Sequence, residues 1–437
     1  MSATPKTASS TPPIAAFLRN TAVLSCVIAL TACGGPGTQG STSRASIKPG
    51  TYRVVLQLPG GELPFGLDLQ REGSGRWVGH LINGPERLEL SEVTVDGSHL
   101  EIKMPGYENH LTADAQGGEL QGELVLVKPE GKDQHIPLRA QFAQTYRFFP
   151  QPSAAGANVA GRWSVTFTGD DGKEEAAVGE FSQSQDVVTG TVLANGGDHR
   201  YLAGQVHGDE LYLSTFDGAH PFLYRAKITG PDSELAGDFW YGTSLHERLT
   251  AKRNAHAALP DPYTITNLRA GNKTFDFAFP DLAHNTVTSK DARFRDKVLI
   301  IAIGGSWCPN CHDEAAFLEP LYREYRAKGL EIVSLMFEHF GDFEHAATAT
   351  ARFRQQYGIE YTTLIAGISD LDDAGKRLPM LDPFYGFPTT VLVDRKGQVR
   401  KIHTGFSGPA TGEHYTQFVA EFKSNLDQLL AETAGGS

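Results

Sequence analysis

The chain has 437 residues, of which 40% are hydrophobic and 21% are charged, a composition typical of globular proteins. Because one ordinary hydrophobic core does not organise so long a chain, we expect two or three domains. The formal net charge of −12 argues against nucleic acid as a partner, since phosphate binding requires a basic surface.

The N-terminal segment has the pattern of an export signal. Lys6 and Arg19 precede an apolar stretch that ends at Cys33 and is too short to remain as a membrane span. Its end, LTAC at residues 30–33, resembles the bacterial lipobox, in which the cysteine is diacylated and begins the mature protein. We therefore expect residues 1–33 to be a lipoprotein signal peptide with Cys33 as the lipidated residue. A plain signal peptide with an incidental cysteine and a buried apolar strand are the alternatives.

The next segment, residues 34–48, has the Gly/Ser/Thr-rich composition of a flexible linker. A lipid group with two or three acyl chains would anchor the protein stably to a membrane. By resemblance to exported lipoproteins, an Asp after the lipidated cysteine retains a protein at the inner membrane, and Gly34 stands there instead. We expect a lipid-anchored protein of the cell envelope that faces the periplasm. The sequence does not decide between the inner and the outer membrane.

The four cysteines lie at positions 26, 33, 308 and 311. Cys26 would leave with the signal peptide, and lipid would block the thiol of Cys33. Only Cys308 and Cys311 would then be left as thiols, in a compartment where disulfides persist. Their one intramolecular partner is each other.

Residues 50–255 have the pattern of β structure throughout, because short alternating runs are separated by Gly, Asp and Asn turns. The region also repeats. Residues 50–54 match residues 161–165, and residues 95–102 match residues 206–213, both at an offset of 111.

Each copy, at residues 49–150 and 158–255, has about eight short strands in sequence. A meander of this kind can close into a small barrel and so remove its free edges. We predict two similar barrel-like units, or one fused pair. The residues at 220–222 and 239–240, which include aromatic side chains, would either line a ligand pocket or pack in cores and domain contacts. Residues 256–273 form a connector, beyond which we expect an independently folding body.

From residue 274 to residue 437 the pattern changes to alternating strands and helices around a central sheet, an α/β fold. Residues 297–303 form a nearly continuous apolar run, as in a strand that is covered on both faces. We predict further strands at residues 330–337, 362–366, 389–394 and 399–404, and helices at residues 309–328, 342–357 and 412–431.

The sequence GSWCPNC at residues 305–311 lies where the apolar strand turns into a helix. A helix N-terminus has unpaired N–H groups and the positive end of the helix dipole, which stabilise a thiolate and lower the cysteine pKa. The two intervening residues bring Cys308 and Cys311 within one helical turn. This arrangement predicts a redox-active disulfide.

The segment from about residue 274 to residue 433 resembles the thioredoxin superfamily, and specifically its TlpA/ResA-like exported thiol-disulfide oxidoreductases. Two motifs support this resemblance: WCPNC after a buried strand, and YGFPTTVLVD at residues 385–394 followed by a Lys-Gly turn, which matches the family's cis-proline segment. The resemblance implies a thioredoxin fold and disulfide exchange with protein or small-molecule thiols. It favours a disulfide reductase that a membrane electron donor recharges, and it implies no cofactor and no metal.

The resemblance also assigns roles. Cys308 would be the attacking sulfur and Cys311 the resolving one, while Pro388 would be cis and face the dithiol beside a backbone that pairs with substrate. Glu314 matches an acidic residue that these exported proteins have near the dithiol, where it tunes the pKa or moves protons, although a solvated helix residue is the alternative. Trp307 would serve both as packing and as a substrate platform.

The sequence departs from the family at two positions. Ala302 stands where thioredoxin has its buried acid, and Ala316 stands where the family usually has a proline, which would leave the helix straighter. Three alternative functions also stay open. One is a zinc site that Cys308 and Cys311 would share with histidines, although the spacing of His312, His339 and His345 is irregular. The others are a thiol peroxidase, whose attacking motif would require a threonine at Gly305, and a ligand-binding lipoprotein with an accessory redox domain.

We expect Cys33→Ser to release the protein from membranes into the soluble envelope fraction, because the acyl chains attach through this sulfur. Fractionation followed by immunoblotting measures the release, and Cys26→Ser is the control that should stay with the membrane. A Cys33→Ser protein that is processed normally and stays membrane-bound would rule out lipidation at this residue.

Overall fold

The computed structural model describes residues 46–152, 156–230 and 234–433. The predicted signal peptide, Cys33 and most of the linker lie outside the described residues. Within the described ranges, no helix combines the length and the apolar character that crossing a bilayer requires.

The first copy of the repeat is a closed antiparallel barrel of eight strands, in which β1 pairs with both β2 and β8. Residues with alternating spacing, such as Val54 and Leu56 on β1 and Phe65 and Leu67 on β2, are buried in its core. The strands are β1 (Gly50–Leu58), β2 (Gly61–Arg71), β3 (Trp77–Asn83), β4 (Glu86–Asp96), β5 (His99–Lys103), β6 (His110–Gln116), β7 (Glu119–Leu126) and β8 (Gln134–Phe142).

The second copy forms a similar ring, closed by the pairing of β9 with β17 and of β10 with β11. Trp163 on β9 is fully buried, and its indole Nε1 donates to the carbonyl of Val159 at 2.9 Å. The strands are β9 (Gly161–Gly169), β10 (Glu174–Ser184), β11 (Val187–Ala194), β12 (Gly197–Asp198), β13 (Leu202–His207), β14 (Glu210–Thr215), β15 (Phe222–Thr229), β16 (Glu234–Tyr241) and β17 (Leu245–Arg253). The prediction of two barrel-like units is confirmed.

The aromatic residues that the sequence offered as possible pocket lining take part in packing. Phe222 and Phe239 are buried in the core of the second barrel, and Trp240 packs against the core of the first. The two barrels also meet at the turn between β3 and β4, where Gly84 lies so close to Thr189 and Ala203 of the second barrel that an added Cβ would be 3.2 Å and 3.4 Å from their side chains.

The C-terminal domain has a five-stranded sheet in the order β22-β21-β20-β23-β24, and helices pack against it. β20 pairs in parallel with β21 and antiparallel with β23, so it is the central strand, and all seven of its residues are buried. The elements are β18 (Ala278–Pro280), β19 (Thr286–Thr288), β20 (Val298–Gly304), α1 (Pro309–Tyr325), β21 (Leu330–Glu338), α2 (Phe343–Tyr357), β22 (Thr362–Ile368), α3 (Leu371–Arg377), β23 (Thr389–Val393), β24 (Val399–Thr404) and α4 (Glu413–Ala431). The predicted thioredoxin-like domain is confirmed.

Sequence analysis missed two elements of this domain, the short hairpin β18–β19 and the helix α3. α3 has only seven residues, too few to display a helical apolar repeat, and a single residue of the helix, Ala374, is buried. Local polar contacts support it instead. The side chain of Asp370 accepts a hydrogen bond from the backbone N–H of Asp373, and Lys376 and Arg377 lie near the negative end of the helix dipole.

Arg200, just after β12, makes charge contacts with all three parts of the protein. Its guanidinium lies 2.8 Å from Glu86 of the first barrel, 3.4 Å from Asp217 of the second and 2.6 Å from Asp313 on α1. The arginine side chain is only 12% exposed and that of Asp217 is 1% exposed. A buried carboxylate is stable only beside a cation or strong donors, so this arginine joins the three bodies.

The barrels and the C-terminal domain belong to one compact unit. The connector is packed as well, because Ala257 is buried beside Val178 and Leu193, and its carbonyl accepts a hydrogen bond from Arg162 at 2.7 Å. Independent folding of the C-terminal domain stays a prediction.

We expect Arg200→Met to lower the free energy of unfolding by about 3 to 5 kcal/mol, because the substitution leaves buried carboxylates without their cation. Thermal or urea unfolding of the whole chain measures the change. Arg76→Met is the matched control, since Arg76 pairs with Glu72 on the exposed surface of the first barrel and should leave the transition where it is. Equal transitions for both variants would contradict a structural role for Arg200.

Candidate functional site

The two cysteines lie at the N-terminus of α1, directly after the buried central strand β20. Cys308 is the N-cap residue, and its Sγ accepts a hydrogen bond from the backbone N–H of Cys311 at 3.2 Å. Pro309 occupies the first turn, where its missing N–H costs nothing. Cys308 and Cys311 are joined by a disulfide, and they are only 5% and 4% exposed.

Two buried side chains hold the loop that leads to Cys308, and both bind Ser306. The carboxylate of Glu338 accepts hydrogen bonds from the backbone N–H of Ser306 at 3.0 Å and from its hydroxyl at 2.7 Å. His312 Nε2 lies 2.7 Å from the carbonyl of Ser306, and Nδ1 lies 2.8 Å from the hydroxyl of Tyr357. A carbonyl only accepts, so Nε2 carries the proton and Nδ1 accepts from the tyrosine.

The protonation of both groups follows from their burial. Burial lowers the pKa of His312 to about 3, so the imidazole is neutral at physiological pH. Burial raises the pKa of Glu338 to about 7, although hydrogen bonds from Ser306 and Thr350 oppose the rise. Glu338 was not among the predicted site residues. No sequence signal sets it apart, because the strand β21 that ends at Glu338 also contains Glu331.

Trp307 directly precedes Cys308 and packs against the segment that contains the cis-proline Pro388. The indole Nε1 of Trp307 donates to the carbonyl of Phe337 at 2.8 Å, and its ring stacks on His339 and meets Phe387 edge to face. The Phe387–Pro388 peptide is cis, and the carbonyl of Pro388 accepts a hydrogen bond from the N–H of Gly405 at 2.8 Å. Trp307, the residue before Cys308, thus contacts the segment that contains the cis peptide.

Glu314 lies on α1, one turn after Cys311. It is only 4% exposed, so it is not a solvated helix residue. The hydroxyl of Thr390 on β23 donates to its carboxyl group. Burial raises the pKa of Glu314 to about 7, and the bond from Thr390 limits the rise. Glu314, Cys311 and Ala302 line a shared cavity of about 10 Å³, which has room for one water at most. Although position 302 has no acid, a carboxyl group from the helix lines the same cavity.

Two further positions bear on the expectations from sequence. Position 316 is alanine where the family usually has proline, but α1 contains a different proline, Pro320. The helix therefore does have an internal proline, four residues later. At Gly305, where a peroxidase motif would require threonine, an added Cβ would lie 2.3 Å from Trp307 Nε1 and 2.5 Å from the carbonyl of Phe337. The loop has no room there for a threonine side chain.

Residues 269–416 match the Redoxin family, a segment that begins after both barrels. The thiol-disulfide oxidoreductase ResA of Halalkalibacterium halodurans is 28% identical over 138 residues, which cover 31% of this chain and 69% of that protein. ResA of Bacillus anthracis is 26% identical over 132 residues, which cover 30% of this chain and 68% of that protein. Among solved structures, a putative thiol:disulfide interchange protein DsbE from Chlorobium tepidum is 25% identical and covers 35% of this chain and 98% of its own, with a TM-score of 0.28.

We expect Thr390→Val to raise the pKa of Glu314 above its value of about 7, because the variant loses the hydrogen bond that favours the ionised carboxylate. A carboxyl stretching band followed by infrared spectroscopy across pH 5 to 9 would measure the midpoint, with Glu314→Gln identifying the band. Thr363→Val is the matched control, because this buried threonine donates to the carbonyl of Tyr361 instead. A midpoint that moves down would contradict the assignment.

Proposed function

We propose a role for the whole chain from the premise that its C-terminal domain is a thiol-disulfide oxidoreductase of the thioredoxin superfamily with a Cys308–Cys311 pair. The protein reduces disulfides of proteins or small molecules in the cell envelope, on a lipid anchor at Cys33. Electrons reach the oxidised pair from a donor in the membrane.

The observation that supports this role is the position of Cys308 as the N-cap of α1. Its sulfur accepts the N–H of Cys311 and lies at the positive end of the helix dipole. After reduction, the same N–H and the same dipole stabilise the thiolate of Cys308, which is the nucleophilic form. Cys311 lies one turn inside the helix and receives less of this stabilisation.

Each catalytic cycle exchanges one disulfide for another. The thiolate of Cys308 attacks a substrate disulfide, a mixed disulfide forms, and the leaving sulfur takes up a proton. Cys311 then loses its proton and attacks the sulfur of Cys308, which releases the second substrate sulfur as a thiolate that takes up a proton in turn. The substrate gains two electrons and two protons, one proton from Cys311 and one from solvent, and the protein ends with the Cys308–Cys311 disulfide.

Glu314 is the group placed to accept the proton of Cys311. Both residues line the same small cavity, and the pKa of about 7 keeps the carboxyl group near half-ionised at neutral pH. The deprotonated form, which predominates above pH 7, is the one that accepts the proton. Resolution of the mixed disulfide therefore becomes faster as the pH rises through 7.

Trp307 and the segment at Pro388 contact the substrate. The indole is fixed by its bond to Phe337 and by its contacts with His339 and Phe387, so it offers a rigid apolar surface beside the dithiol. By resemblance to the family, the backbone next to Pro388 pairs with an extended stretch of the substrate.

The proposed localisation in the cell rests on the sequence. The lipobox-like residues 30–33 support export and anchoring, and the flexible composition of residues 34–48 would let the domains reach partners near the membrane. A dithiol that acts as a reductase in a compartment where disulfides persist requires a continuous supply of electrons. The anchor keeps the protein at the membrane, where a donor in the membrane can supply them.

We expect Cys308→Ser to abolish reduction of a protein disulfide, and Cys311→Ser to attack once and accumulate mixed disulfides, because no second thiol remains to resolve them. A turbidity assay of insulin reduction measures turnover, and non-reducing gels measure the trapped species. The double serine variant is the control for background reaction with the reductant. Turnover by Cys308→Ser, or trapping by Cys308→Ser rather than by Cys311→Ser, would reverse or remove the assigned roles.

A further inference from the structure

We propose that the turn at residues 195–197, between β11 and β12 of the second barrel, occupies the substrate groove beside the dithiol, so that a polypeptide substrate must displace it. We call these residues the covering turn. The inference rests on the proposed function, because it takes the groove beside Pro388 as the place where the substrate lies. It gives the second barrel a part in the reaction.

One side of the covering turn pairs with the loop next to the cis-proline. Gly405 donates its N–H to the carbonyl of Pro388, and Phe406 follows directly. Gly197 forms a parallel β-bridge with Phe406. Asn195 lies close by as well, since a Cβ added at Gly405 would be 2.4 Å from its carbonyl oxygen. The turn thus binds to this loop through its backbone, as an extended peptide would.

The other side of the covering turn meets the redox motif. Asn310, between the two cysteines, donates its Nδ2 hydrogen to the carbonyl of Gly196 at 3.4 Å. A Cβ added at Gly197 would lie 1.8 Å from the same Nδ2 atom. The turn therefore spans the gap between the loop at Phe406 and the start of α1, which is where a substrate must approach Cys308.

This cover explains why Cys308 is only 5% exposed in a domain that is expected to attack the disulfides of other molecules. A thiolate attacks along the axis of the disulfide, so the substrate sulfur must reach the Sγ atom of Cys308 directly. A polypeptide cannot do so while backbone atoms of the second barrel fill the space. The described arrangement is a closed state, and exchange requires an open one.

The contacts that hold the covering turn are polar and therefore separable. Asp198 accepts a hydrogen bond from the N–H of Gly408 at 2.6 Å, and Arg200 pairs with Asp313 at 2.6 Å. Polar contacts of this kind regain water when they open, unlike a large apolar core, so domain contacts built from them can exchange.

The chain offers a matched pair of glycines for a test. Gly197 has a φ of +145°, and an added Cβ would lie 2.8 Å from the backbone carbonyl oxygen of Phe406. Gly197→Ala must therefore push the turn away from the loop at Phe406, even when the side chain of Asn310 rotates aside. Within the part of the chain that the structure describes, no atom lies within 4 Å of a Cβ added at Gly196, so Gly196→Ala should leave the turn in place.

The measurement is the rate at which iodoacetamide alkylates Cys308 in the reduced full-length protein, followed by mass spectrometry of the peptide. We expect Gly197→Ala to react about tenfold faster than the wild type, since a steric clash of this size favours the open state by that order, and Gly196→Ala to react at the wild-type rate. Equal rates for all three folded proteins would overturn the proposal. Alkylation needs no substrate disulfide, so its outcome is independent of whether the protein is a reductase.

A second measurement covers the case in which Gly197→Ala does not fold. Cys311→Ser is joined in a mixed disulfide with the peptide Ala-Gly-Cys-Gly-Ala, and hydrogen exchange is compared with that of the same variant without peptide. We expect at least severalfold faster exchange at residues 195–200 and at the amide of Gly408, because the peptide takes the place of the turn. Unchanged protection of both segments in the mixed disulfide would show that the substrate lies elsewhere, and it would overturn the proposal.

Discussion

The arrangement of this protein depends on the ion pairs of Arg200. A closed barrel has no free sheet edge, so it joins its neighbours only through turns and side chains. Arg200 contributes such contacts to all three parts, with carboxylates from the first barrel, the second barrel and the redox helix around one guanidinium. Because Arg200 follows β12 closely, the same contact fixes the end of the second barrel against the dithiol.

Two buried carboxyl groups lie near the disulfide. Glu338 holds the loop before Cys308 through Ser306, and Glu314 lies beside Cys311. Burial places the pKa of each at about 7, above the ordinary value near 4.5. Each group therefore favours the folded state most below pH 4.5, and this contribution is lost as the pH rises to 7.

The sequence alone predicted the parts of the molecule whose signals are local. The apolar strand before Cys308, the proline after it and the two-residue spacing to Cys311 are consecutive, and strand alternation with turn glycines identified both barrels. The roles of Glu338 and His312 depend on contacts with Ser306 across 32 and 6 residues of chain. Nothing near either residue in sequence shows this. The sequence also contained no indication that residues 195–197 approach the dithiol. Asn-Gly-Gly is an ordinary hairpin turn, and Asn310, which it contacts, is more than 100 residues away in the chain.

The close approach of Gly84 to the second barrel has an evolutionary consequence. At the repeat offset of 111, Gly84 corresponds to Asn195, so the turn between β3 and β4 is the counterpart of the turn between β11 and β12. In the first copy this turn touches the second barrel, and in the second copy it touches the redox domain. Each barrel thus contacts the next unit of the chain through the same hairpin turn. An internal duplication would have copied this mode of docking together with the barrel.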